Sequence, residues 1–179
     1  MTALLLIDFQ NDYFENGTNT LINPDKACNN ARLILDRFRQ QILPVIHIQH
    51  IATKPTATFF LPDTFGAEIH EKVKPLENET LCIKHFPNSF RETGLLEHIQ
   101  KTGITELVIC GMMTHMCVDA TTRAAKDFGM NCIVIADACA TKDLEILGQN
   151  VKADDVHKSF LAALDYFYSS VTTTRQYLQ

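Results

Sequence analysis

The stretch Glu106-Leu107-Val108-Ile109-Cys110-Gly111-Met112-Met113-Thr114-His115-Met116-Cys117 reads as a short apolar strand that breaks at a glycine and reopens as a helix with a thiol in its first turn. A helix N-terminus carries roughly half a positive charge and several unpaired N–H groups, so it stabilises a thiolate and later an oxyanion. Two further apolar runs end in charge: Ala3-Leu4-Leu5-Leu6-Ile7 is closed by Asp8, and Leu81-Cys82-Ile83 by Lys84. A carboxylate, an ammonium and a thiol therefore all stand at strand ends.

Working outward, strand-like runs alternate with helix-like segments along the whole chain, the pattern of a parallel sheet covered by helices on both faces. Strands are expected near 3–8, 43–49, 80–84, 106–110, 131–136 and 170–174, with helices over Pro24 to Gln41, 91–102, 114–128 and 153–168. In the first helix Ala27, Ala31, Ile34, Leu35 and Phe38 keep helical spacing. The expected fold is α/β, a three-layer αβα arrangement; if the order is 3-2-1-4-5-6, the strands bearing Asp8 and Cys117 are neighbours. One domain over residues 1–179 accommodates a chain of this length. Residues 51–62 carry two prolines and no consistent period, giving a loop with aromatic side chains, and 141–152 read as a second surface excursion.

Composition narrows the function. With 21 acidic and 16 basic residues the formal charge is −5, and no Lys/Arg cluster is dense enough to follow a phosphate backbone, so nucleic acid is not an expected partner. No apolar run approaches the roughly 20 residues that span a bilayer, and the opening residues lack the basic region of a signal peptide, so a cytoplasmic protein without membrane association is expected. The six cysteines at 28, 82, 110, 117, 132 and 139 form no C-x-x-C pair and are expected to be reduced, all but Cys117 acting as small hydrophobes.

In an open parallel sheet, ligands gather at the carboxyl ends of the strands near the point where strand order reverses. Asp8, Lys84 and Cys117 belong to that end. An ordinary thiol is mostly protonated at neutral pH, so its use as a nucleophile needs a base or a field that lowers its pKa. Asp8 is the candidate base, with Lys84 and the helix terminus as the field. Thr114 at the N-cap would place Cys117 at the third helical position, and the N–H groups of Met113 and Cys117 would form an oxyanion hole. Phe14, Phe59, Phe60, Phe90, Thr114 and His115 are the candidates for lining a substrate pocket. For Phe59 and Phe60, packing on the core or on another subunit is an equal alternative. Asp137 reads as a structural cap, and Asn88 or Ser89 as the cap of the following helix. His47 and His50, three apart on a strand, point to opposite faces and cannot chelate one ion together.

The runs Leu-Leu-Leu-Ile-Asp8-Phe-Gln-Asn-Asp-Tyr-Phe, Ile-Lys84-His-Phe-Pro-Asn-Ser-Phe, Gly111-Met-Met-Thr-His-Met-Cys117-Val-Asp-Ala-Thr-Thr-Arg-Ala-Ala and Asp137-Ala-Cys-Ala-Thr together resemble the isochorismatase-like cysteine hydrolases. That superfamily includes nicotinamidases and N-carbamoylsarcosine amidohydrolase. The resemblance implies a six-stranded, doubly wound parallel sheet, a catalytic triad of Asp8, Lys84 and Cys117 and a cis peptide between Met112 and Met113. It implies amide-type C–N cleavage through a Cys117 thioester, and a homo-oligomer, dimer or larger. Enzymes that cleave the vinyl ether of isochorismate resemble the chain but lack the cysteine. Nicotinamidases resemble it but carry a metal-binding Asp-x-His after the second strand, where this chain has His47-Ile48-Gln49-His50. The expectation is therefore a small-molecule substrate, no metal and no cofactor. A small-molecule-binding or redox-responsive protein on the same fold, and a nicotinamidase with an altered metal site, are the alternatives.

Overall fold

The computed structural model describes residues 1–179. In chain order the elements are β1 (Thr2–Ile7), α1 (Pro24–Gln40), β2 (Val45–His50), β3 (Thr80–Lys84), α2 (Leu95–Thr102), β4 (Glu106–Met112), α3 (Asp119–Asp127), β5 (Asn131–Ala140), β6 (Leu144–Ile146), β7 (Gln149–Val151), α4 (Ala153–Phe167), β8 (Ser170–Thr172) and α5 (Thr174–Leu178). Six strands form one sheet in the order β3-β2-β1-β4-β5-β8, every neighbouring pair parallel. The expected order is met, with β8 as the sixth strand of the sheet.

Period-two alternation along β1 splits its residues between two cores. Leu4 and Leu6 join the cluster containing Ala27, Ala31, Ile34, Leu35 and Phe38 of α1. Ala3, Leu5 and Ile7 join the opposite one, with Leu95 and Ile99 of α2, Ala125 of α3 and Leu161 and Leu164 of α4. A strand buried on both faces reads as an unbroken apolar run, which is why β1 carries no polar residue after Thr2.

Several boundaries differ from expectation, each for a local reason. The second helix begins at Leu95 rather than 91 because Glu92 takes a left-handed φ of 56° and Gly94 becomes the N-cap. Residues 141–152 are not irregular throughout: β6 and β7 pair as an antiparallel hairpin. Its turn, Leu147-Gly148, has φ of 51° and 74°, the primed-turn conformation that Asn-Gly usually signals and that Leu-Gly hides. The final strand stops at Thr172, and Thr173 with Gln176 forms a capping box that opens α5. Asp137 caps the same helix, its Oδ1 accepting from Thr174 N and Thr174 Oγ1 at 2.7 Å each. Asn88 Oδ1 accepts from Phe90 N at 2.9 Å, closing a local turn rather than the distant helix start.

Two features of the sheet prepare the site. Gly111 pairs with Ile7 across β1 and β4, where an added Cβ would lie 2.6 Å from the Ile7 carbonyl oxygen, so only glycine permits this approach. Asp8, one residue past β1, takes φ 53°, a left-handed conformation that aspartate tolerates better than most residues. The chain thus leaves β1 through a sharp turn beside the end of β4.

Candidate active site

Asp8 follows β1, Lys84 ends β3 and Cys117 lies just after β4, so the three expected residues come together at the carboxyl end of the sheet. Lys84 pairs in register with His50 on β2, and its long side chain crosses the end of that strand to reach Asp8. Lys84 Nζ stands 2.8 Å from Asp8 Oδ2 with neither side chain exposed. The ammonium also donates to the Pro87 carbonyl at 3.1 Å. This ion pair is off the direction of an ideal hydrogen bond, and Asp8 Oδ1 is buried with no partner in the protein. An unsatisfied buried carboxylate oxygen is unusual and is expected where a group acts on substrate.

The thiol is 5% exposed, and both Asp8 and Lys84 reach it. Here the two routes to a nucleophile, a base or a lowering field, separate. Burial and then the Asp8 carboxylate push the Cys117 pKa above the ordinary thiol value, and Lys84 only partly offsets them. Cys117 rests as a thiol, not as the thiolate that a helix terminus alone suggests. Burial works against the Lys84 ammonium, but Asp8 and Cys117 outweigh it and its pKa ends raised. The shifts thus favour an ammonium at Lys84 and a neutral sulfur at Cys117.

The backbone carrying Cys117 also differs from the expected N-cap. The Met112–Met113 peptide is cis. Thr114–Val118 form a π-helical turn in which Met116 N and Val118 N both bond to the Met113 carbonyl. Thr114 does not cap it: its hydroxyl donates to the Ala140 carbonyl at 3.2 Å and lies 2.9 Å from His157 Nδ1, tying the turn to β5 and α4. His115 Nδ1 is bonded to Thr141 Oγ1, so this ring too is an anchor. The Met113 N–H makes no hydrogen bond within the protein.

The aromatic candidates divide. Phe60 is buried, stacks edge-on with Tyr13 at 4.7 Å between ring centroids, and lies 5.7 Å from the His50 ring. Phe59 is half-buried outside it, 4.9 Å from Phe60. Phe60 holds a left-handed φ of 56° and donates its N–H to Asp12 Oδ2 at 2.6 Å. Asp12 Oδ1 accepts from both the backbone and the hydroxyl of Thr18, so one carboxylate pins the aromatic loop to the segment after β1. The Phe14 ring packs on His70 at 4.0 Å, in the core cluster that also holds Tyr13, Phe60 and Met113. Phe90 packs edge-on to Phe128 at 5.2 Å and shares a core cluster with Cys117.

Two further residues complete the site: Tyr13, which the sequence did not single out, and His50, which it weighed only as a metal ligand. Tyr13 is buried and close to Cys117, Asp8 and Asp12; burial first, and then negative charge on these neighbours when they are ionised, raises its pKa. It sits in a 3-10 turn, Asn11–Tyr13; Phe14 beside it is buried too, so no sequence pattern says which of the two neighbours approaches the sulfur. His50 brings a ring nitrogen within 4.8 Å of both an Asp8 oxygen and the Cys117 sulfur. Opposed faces are as expected: His47 turns to the other side and meets Glu79 at 2.9 Å. An oxygen, a nitrogen and a sulfur at this spacing are donors zinc accepts, but Lys84 already neutralises Asp8 and would repel a dication there. The open cleft of about 260 Å³ lined by Lys26, Asp137, Thr141 and His157 lies elsewhere and includes none of the triad.

Sequence and structure comparisons place the chain among known proteins. A family model described as the isochorismatase domain matches residues 2–176. The chain is 52% identical over 178 residues to the uncharacterized isochorismatase family protein YddQ of Bacillus subtilis strain 168, with 99% of each chain covered. It is 32% identical over 142 residues to a streptothricin hydrolase of Streptomyces noursei, covering 79% of this chain and 50% of that protein. A crystal structure of an isochorismatase hydrolase homologue from Oleispira antarctica superposes with a TM-score of 0.94 at 47% identity, covering 99% of this chain and 95% of the other.

Proposed function

The chain belongs to the isochorismatase family of hydrolases, and from that premise we propose that it is a metal-independent cysteine hydrolase cleaving an amide-type C–N bond of a small molecule. The observation that carries this reading is the buried cluster at the sheet's carboxyl end: a neutral thiol beside a carboxylate with one free oxygen, itself paired to a lysine. A protonated thiol needs a base, and Asp8 Oδ1 is the group placed to be one. Asp8 takes the thiol proton as sulfur attacks the carbonyl carbon. Lys84 holds the developing thiolate, and the Met113 and Cys117 N–H groups receive the oxyanion. The amine leaves with the proton held by Asp8, and water hydrolyses the Cys117 thioester.

Phe59, Phe60 and Tyr13 form one wall of the substrate site in this reading, and Thr114 and His115 fix the nucleophile turn. A streptothricin hydrolase among the relatives fits a family that cuts small molecules. No helix is long and apolar enough to cross a membrane, which agrees with a cytoplasmic enzyme. The half-exposed Leu81 and Ile83 of the edge strand β3, with the exposed Phe65, support assembly of a homo-oligomer, which sedimentation velocity tests directly. The deciding experiment screens amides, carbamoyl compounds and ureides by intact-protein mass. An acyl adduct on the wild type that is absent from Cys117→Ala supports the mechanism; turnover by Cys117→Ala refutes it. A chelator leaves the rate unchanged if no metal takes part.

A further inference from the structure

One titratable side chain at the site has no task in this scheme. His50 is the last residue of β2, and three constraints set its place. Gln10 clamps its backbone twice, donating from Nε2 to the His50 carbonyl at 2.8 Å and accepting from the His50 N–H at 2.7 Å. Phe60 packs against the ring. Register pairing puts Lys84 beside it on β3. The other histidines near the sheet ends are committed, His47 to Glu79, His115 to Thr141 and His157 to Thr114. The His50 imidazole alone among them makes no hydrogen bond to the protein, and one of its nitrogens stands within 4.8 Å of both the Cys117 sulfur and an Asp8 oxygen. It is also half-buried, whereas Asp8 and Lys84 are sealed from solvent. Of the three groups around the sulfur, His50 is therefore the one with access to solvent.

Resting on the reading that Cys117 forms an acyl-enzyme, we propose that His50 is a catalytic residue of the second half-reaction, the general base that deprotonates the water attacking the Cys117 thioester. By then Asp8 has given its proton to the departed amine and is held by Lys84. The imidazole nitrogen accepts a proton from water as the water oxygen bonds to the thioester carbon. The tetrahedral intermediate collapses, the C–S bond breaks with its electron pair on sulfur, and the carboxylic acid leaves and ionises. His50 returns its proton to the thiolate, restoring the neutral thiol and the free base. Burial, helped by Lys84 and His85, outweighs the opposing Asp8 carboxylate and lowers the His50 pKa, which favours the accepting form of the ring at neutral pH.

The test uses 4-nitrophenyl acetate, whose leaving group needs no proton, so that deacylation is isolated. Wild type and His50→Gln should give equal bursts of 4-nitrophenolate and the same acetyl adduct on Cys117, while steady turnover in H50Q falls roughly 100-fold, the usual scale of a lost general base. Hydroxylamine is nucleophilic without a base and should discharge acetyl-H50Q as fast as acetyl-wild-type enzyme, a rescue that mere distortion of the site would not allow. Wild-type deacylation in H50Q, or equal losses in burst and turnover, or failure of the hydroxylamine rescue would overturn the assignment. Absence of a Cys117-dependent adduct on wild type would instead remove the acyl-enzyme reading itself.

Discussion

Removing the Lys84 ammonium leaves a carboxylate with no exposure to water and no cation to face. Breaking one side of a buried pair costs about 3–5 kcal/mol, more than the intact pair contributes, because the remaining charge is stranded. Lys84→Met should lose that much in urea unfolding, and adding Asp8→Asn should recover much of it; additive losses would mean that the two groups do not depend on each other. The thiol gives a second test with an unusual sign. Since the Asp8 carboxylate raises the Cys117 pKa and Lys84 lowers it, Asp8→Asn should bring that pKa down. Alkylation of Cys117 by iodoacetamide at neutral pH should therefore speed up in D8N while substrate turnover disappears. Slower alkylation would show that Asp8 does not set the resting state of the sulfur.

At the scale of elements, the wall of the site depends on one carboxylate. Asp12 ties Thr18 to Phe60, and Gly66 lies so close that a Cβ there would stand 2.2 Å from Asp12 Oδ1. Gly66→Ala must displace the carboxylate and release the Phe60 N–H, leaving an aromatic residue in a left-handed conformation without its restraint. The expected result is faster proteolysis within residues 51–65 and a raised KM, with the global unfolding midpoint lowered by no more than about 2 kcal/mol of stability. Unchanged cleavage and KM would place the wall's rigidity elsewhere. Little of this was legible beforehand: the loop and its aromatics were visible from two prolines and the lack of period, but the Asp12–Phe60 bond joins residues 48 apart. The ring partners of Phe14 and Phe90 were hidden for a related reason, because an aromatic next to a motif has no fixed direction until its turn is built.

For the whole molecule, acid stability should centre on Glu79. Burial disfavours its carboxylate, but two N–H groups of Arg39, the Leu76 N–H and His47 outweigh it and hold its pKa at about 2 against an ordinary 4.5. Its contribution is complete above pH 4.5 and is lost as pH falls toward 2, because only the unfolded chain takes up the proton in that window. His47 acts in the same direction: burial lowers its pKa from 6.5, so the unfolded chain binds its proton first and stability begins to fall just below that pH. Melting temperatures should drop in two stages on acidification, and Glu79→Gln should cost about 2 kcal/mol at neutral pH while flattening the lower stage. A variant with the wild-type acid profile would remove Glu79 from this role.

What the sequence by itself determined was the layer order and the strand ends. Doubly buried strands must be continuous apolar runs, amphipathic helices must follow them, and a charged residue closing such a run must lie at the sheet's rim; Asp8, Lys84 and Cys117 were found on those grounds. Only the tertiary structure decided the state of the site. Which nitrogen, ring or oxygen meets the sulfur depends on side chains brought in from β2, the turn after β1 and the aromatic loop. The protonation of Cys117 depends on the balance between burial, Asp8 and Lys84. Both are set by distances of a few ångströms between residues far apart in the chain, and linear spacing carries no record of them.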